Sequence, residues 1–148
     1  MGRPGAGRQC SYRETAIGLP TTEECINAAE RALGRNLPGP LRERLKRNNG
    51  GDVEVTGYSS DDPYWELHPV LDCTDRKRAG RSANHIVRET DEAHSVPEVA
   101  PPQGSVVIAA NGTGDLLLLL KEDDCPYWWD YETGDVHRVA VDWSGTST

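Results

Sequence analysis

The carboxylates of this chain fall into two groups whose spacing could do chemistry. Asp61 and Asp62 share one turn sequence, with Glu66 close behind. Glu122, Asp123, Asp124, Asp130, Glu132 and Asp135 fall in the last two hairpin sequences. Paired carboxylates serve as general acid and base when burial drives their pKa values apart. Turn sequences are usually solvated, and solvated carboxylates stay ionised, so these groups suit a rim that attracts a cationic partner better than a reaction centre. Aromatic residues flank the same turns: Tyr58, Tyr64, Trp65, Tyr127, Trp128, Trp129 and Tyr131. Exposed Trp and Tyr beside acids are the residue types of protein-binding hot spots. Strand neighbours point to opposite faces, so Trp128 and Trp129 cannot share one core. A chain without Phe could also place all its Trp and Tyr inside. The candidate partner-binding residues are Asp61, Asp62, Tyr64, Trp65, Glu66, Asp123, Asp124, Trp129, Asp130 and Glu132.

Other chemistries find less support. The chain has no P-loop string, no Gly-x-Ser-x-Gly elbow and no dinucleotide-binding glycine fingerprint. Asp91-Glu92-Ala93-His94 spells a helicase box, but no phosphate-binding loop accompanies it. His68, His85, His94 and His137 lack metal-ligand spacing, so neither a metal nor another cofactor is expected. Cys10, Cys25, Cys73 and Cys125 form no Cys-x-x-Cys pair. The polar N-terminal sequence has no apolar signal-peptide core, and the Leu116–Leu120 run is far short of a membrane span. A cytoplasmic protein with reduced thiols is expected.

The formal net charge is -8 over 148 residues, and it is uneven. Residues 1–50 carry nine Arg and Lys against five Asp and Glu, whereas residues 51–148 carry seven against nineteen. A nucleic-acid binder is expected to show a basic patch or stripe, so the balance argues against that class. A field of one sign steers partners of the opposite sign.

The elements that must position these residues read as a single domain over 20–148, preceded by an arm at 1–19. Thr21 and Glu24 have capping-box spacing, and Cys25, Ile26, Ala29 and Leu33 recur at helical intervals before Gly34. Pro40 opens a second helix ending at Asn48-Asn49-Gly50-Gly51, with Arg42, Arg44, Lys46 and Arg47 on its exposed face. Strands are expected at 52–58 and 64–70, a charged loop at 72–81, and a helix over 83–94 capped by Ser82. Further strands are expected at 105–110, 116–121, 126–131 and 136–143, joined by hairpin turns. The run of leucines in the 116–121 strand implies burial on both faces. Helices early and consecutive hairpins late make an α+β domain with a mostly antiparallel sheet.

Three stretches in this order resemble the SUKH superfamily, the group that includes the Smi/Knr-type cell-wall-assembly regulators. They are the capped helix through "NLPGPLRERLKRNNGG", the "LHPV" at 67–70, and "VVIAANGTGDLLLLL" followed by "YWWDYETGDVHRVA". The resemblance implies an α+β fold without catalytic activity. It also implies, as for many bacterial members, an immunity protein that blocks a toxin domain, often a nuclease or a nucleic-acid deaminase. Such toxins act on polyanions, and an acidic inhibitor fits them by presenting the charge of their substrate. Gly114, Asp115, Asp130 and Glu132 are motif residues that the resemblance allows to be structural. Tyr131 stands where the family often has His, and the 72–81 segment is unusually basic. A monomer is expected. A regulatory or scaffold module remains the alternative, and an enzyme with a carboxylate site a third reading.

Overall fold

The structure is a computed structural model and describes residues 21–57 and 64–143. The expected arm at 1–19 and the turn carrying Asp61 and Asp62 lie outside the described residues. Helix α1 spans Glu23–Leu33 and α2 spans Gly39–Arg47. The α1 cap is Thr22, whose side chain accepts from the Cys25 N–H at 3.2 Å, one residue later than the capping-box spacing suggests. The Thr21 hydroxyl is taken instead by the Asp72 carboxylate at 3.1 Å. Gly34 ends α1 at a φ of 77°, the left-handed conformation that glycine adopts without a Cβ penalty. The Arg42 guanidinium joins the two helices through Glu23 and Glu30.

Arg44 departs from expectation. It is 1% exposed rather than on the solvated face. Its guanidinium donates to the carbonyls of Asn48 and, at 3.1 Å, Asp52, so it holds the end of α2 against the first strand. Burial pulls its pKa down, and the neighbouring Arg47 adds to that.

Seven strands follow the order β6-β5-β4-β3-β2-β1-β7, and every neighbouring pair is antiparallel. They are β1 (Asp52–Thr56), β2 (Tyr64–Leu67), β3 (Val106–Ala110), β4 (Leu116–Leu119), β5 (Pro126–Trp129), β6 (Val136–Arg138) and β7 (Ala140–Asp142). The single strand expected over 136–143 breaks at Val139. Its first half pairs with β5 and its second half with β1, and the Val139 N–H reaches the Pro126 carbonyl at 3.2 Å. That switch of partner curls the sheet until it is nearly closed. Strand β4 lies near the middle with Leu117, Leu118 and Leu119 all buried, as its leucine run requires.

Two further helices differ from expectation. The 72–81 segment is not all loop: α3 spans Arg76–Arg81, capped by Asp75, and buries no residue, so it leaves no apolar periodicity in the sequence. Ser82 closes α3 rather than opening the next helix; its hydroxyl donates to the Arg78 carbonyl at 2.7 Å and accepts the Asp72 N–H at 2.9 Å. Helix α4 spans Ile86–Ala93 and is capped by the His85 ring. The Thr90 hydroxyl accepts the Val107 N–H at 2.9 Å, where the pairing of β3 with β2 has ended.

The main core packs Ile26, Leu41, Leu45 and Ile86 from the helices against Val53, Val55, Trp65, Leu67, Ile108 and Leu117 from the inner sheet face. A smaller cluster on the other face gathers Val107, Leu118 and Trp129. Trp128 packs on the first cluster and Trp129 belongs to the second, as opposite strand faces demand.

Candidate functional site

A hydroxyl meets an imidazole at Ser105 and His94. His94 Nε2 lies 3.0 Å from the Ser105 carbonyl oxygen and 3.3 Å from Ser105 Oγ. A carbonyl only accepts, so a bond to it requires the tautomer with hydrogen on Nε2, and in that tautomer Nε2 cannot take a proton from the serine. The Ser105 hydroxyl itself donates to the Pro102 carbonyl at 2.6 Å. This pair fastens α4 to the start of β3 and activates no nucleophile. Among the described residues, no group of three or more His, Cys, Asp and Glu is placed to hold a metal ion.

The residues expected to bind a partner divide sharply. Tyr64, 50% exposed, and Glu66 stand on the outward side of β2. Trp65, between them, is 0% exposed; strand alternation turns it into the core, which corrects its placement among contact residues. Trp129 is likewise a core residue at 5% exposed, with its ring edge-on to Tyr131. The carboxylates of the late hairpins chiefly build turns. Asp123 accepts the Cys125 N–H at 2.9 Å and the Tyr127 hydroxyl at 2.9 Å, and these bonds hold its pKa below the usual carboxylate range. Asp124 pairs with Arg35 at 2.6 Å, and the same guanidinium reaches the carbonyls of Leu120 and Asp123. Asp130 accepts the Glu132 N–H at 2.9 Å inside its own turn. Glu132 is exposed there.

Gly114 and Asp115 have plain structural roles. Asp115 accepts the Trp128 indole N–H at 3.0 Å and the Tyr131 backbone N–H at 3.0 Å, clamping the β3–β4 turn to the β5–β6 turn. Gly114 sits at a φ of 104° with the Tyr131 ring against it.

Sequence reasoning missed a more concentrated acidic surface. The outward positions of β1 are Asp52, Glu54 and Thr56, all exposed. In the sheet register Asp52 faces Glu66, and Glu54 faces both Tyr64 and Asp142. Two carboxylate pairs thus stand directly opposed across neighbouring strands, an arrangement that destabilises a sheet. The acidity continues onto α4. Burial pushes the Glu89 pKa up, and the nearby Glu92 and Glu66 push it further. The outward side of β7-β1-β2 is therefore an exposed sheet face carrying Asp52, Glu54, Glu66 and Asp142, with Tyr64 among them and Glu89 at its border. The alternation in "DVEVT" was a readable signal for β1. The pairing with Asp142, eighty-eight positions after Glu54, had none.

No helix among the described residues is long and apolar enough to cross a membrane. No curated protein and no solved structure matches the chain. A family model does match, over residues 20–145, and so covers nearly all of the chain from the first helix to the last strand. The chain belongs to the SMI1 / KNR4 family (SUKH-1).

Proposed function

We propose that this protein is a non-catalytic immunity protein, one that binds a basic, nucleic-acid-targeting toxin domain and blocks it. The family includes immunity proteins. The observation that carries the reading further is the pair of opposed carboxylate couples, Asp52 with Glu66 and Glu54 with Asp142, on an exposed sheet face. Like charges set against each other cost stability, and a fold that keeps them gains where a cationic surface arrives to neutralise them. A rigid strand lattice spaces the charges more regularly than mobile turns would, which suits a surface that normally holds nucleic-acid phosphates.

The contact set under this reading is Asp52, Glu54, Tyr64, Glu66 and Asp142, with Glu89 at its edge and Glu132 on the neighbouring hairpin. Asp61 and Asp62 belong to the β1–β2 connection and extend the same acidic set in sequence. Trp65 supports the face from behind, while Trp129 belongs to the core cluster on the other side of the sheet. Asp123, Asp124 and Asp130 contribute field, but their carboxylates are already engaged within the fold.

The test is capture of the partner by the tagged chain from cells of its source, compared with the Glu54→Lys/Glu66→Lys double variant. The expected result is one basic nuclease-like or deaminase-like protein, stoichiometric with the wild-type bait, lost at high salt and lost with the variant. Several unrelated cellular proteins, retained by the variant, would replace this reading with a regulatory or scaffold module.

A further inference from the structure

A trough runs along the side of the molecule where α1 and α4 both end. It has two compartments that share Leu33 and Gly104, one of about 680 Å³ and one of about 550 Å³. Arg35 lines the smaller compartment, and its guanidinium is bonded to the carbonyls of Leu120 and Asp123 and to the Asp124 carboxylate. Backbone carbonyls plus one carboxylate make a seat for a planar cation.

The larger compartment offers apolar wall and one carboxylate. Among the described residues its lining includes no Lys or Arg. Ala32, Pro97 and Val106 supply apolar wall, the surface on which the aliphatic stem of a long basic side chain packs. Asp91 stands at its edge, exposed and without an ion pair among the described residues. The negative ends of two helix dipoles face it, since Leu33 closes α1 and His94 caps α4. Helix α4 stands between this compartment and the acidic sheet face: Glu89 is near Glu66, and Asp91, two residues further along, lies on another side of the same helix.

We infer that the larger compartment is a seat for one arginine side chain of the protein partner, inserted over α4 while the partner's basic surface rests on the β7-β1-β2 face. This rests on the immunity reading for the partner's identity, but not for the chemistry of the seat. The seat is testable with the free protein and the tripeptide acetyl-Gly-Arg-Gly-amide, followed by backbone NMR. Saturable shifts are expected at Ala32, Leu33, Asp91 and Gly104. Asp91→Lys, a change at an exposed helix position, is expected to weaken binding by up to about fivefold, the upper range for a solvent-exposed pair. The lysine analogue is expected to bind more weakly than the arginine peptide. Shifts confined to Glu54 and Glu66, no saturation, equal binding of the two peptides, or an unchanged Asp91→Lys titration would each overturn the inference. None of these outcomes depends on whether a toxin is captured in cells, so the two readings can fail separately.

Discussion

The acids of the β7-β1-β2 face and the acids of the late hairpins look alike in sequence and differ in what the fold asks of them. On the hairpins, Asp115, Asp123 and Asp130 each accept backbone or side-chain hydrogen bonds that hold a turn, and Asp124 is tied to Arg35. On the sheet face, Glu54 and Glu66 accept no hydrogen bond from a described residue and stand opposite other carboxylates. The first group stabilises the fold, and the second is held in place at a cost. Charge alone does not mark a binding surface; the useful sign is charge left without structural employment.

Substitutions can break this comparison, and the largest effect is expected next door to the acidic face. Trp65→Ala should cost about 3–5 kcal/mol by opening a cavity beneath it, whereas Tyr64→Ala should cost well under about 1 kcal/mol. Chemical denaturation of both variants checks this; similar losses would mean that the alternation of β2 is misassigned.

Acid sharpens it next. His68, just beyond the end of β2, is 5% exposed, and its ring nitrogens have no hydrogen-bond partner among the described residues. Burial lowers its pKa from 6.5 to about 4. The unfolded chain therefore takes up the proton first as pH falls. Stability is full above pH 6.5 and drains away down to about pH 4, by about 3 kcal/mol if the whole shift is expressed. Burial also works against the charged form of Asp72, but bonds from Thr74 and Thr21 and the charge of Arg78 outweigh it and lower its pKa. Its contribution is present at neutral pH and is lost on further acidification through that lowered pKa. A His68→Leu variant should flatten the upper part of the acid limb in a pH series of unfolding midpoints.

Asp115→Ala removes the clamp between two hairpin turns and should destabilise by about 1–3 kcal/mol. The smallest effect has the opposite sign. Glu54→Gln relieves the repulsion from Asp142 and should stabilise by a few tenths of a kcal/mol, about 0.5 at most, while weakening partner binding. A Glu54→Gln protein that lost stability would place that carboxylate with the hairpin acids.

Much of the fold was legible because local signals agreed with it. Gly34, Pro40 and the leucine run of β4 each mark what they mark in the structure. The misses were tertiary. Helix α3 buries nothing, so no periodicity announces it. The break at Val139 follows from one strand serving two partners as the sheet curls round. The site was half legible. Trp65 and Glu66 are adjacent on a strand and cannot both meet a partner, and the period-two rule that separates Trp128 from Trp129 separates them too. The Glu54–Asp142 couple could not be read at all, because only the closing of the sheet brings β7 beside β1.

The central claim is that the sheet face, and not the engaged carboxylates Asp123, Asp124 and Asp130 of the hairpin turns, carries the contact with the partner. The association rate of the captured partner tests it most directly, measured for wild type, for Glu54→Lys/Glu66→Lys and for Asp124→Lys. Electrostatic steering predicts a fall of about tenfold or more for the sheet variant, shrinking as salt rises, and a much smaller change for Asp124→Lys. An unchanged rate for the sheet variant, or a larger loss for Asp124→Lys, would contradict the account and return the interface to the hairpins.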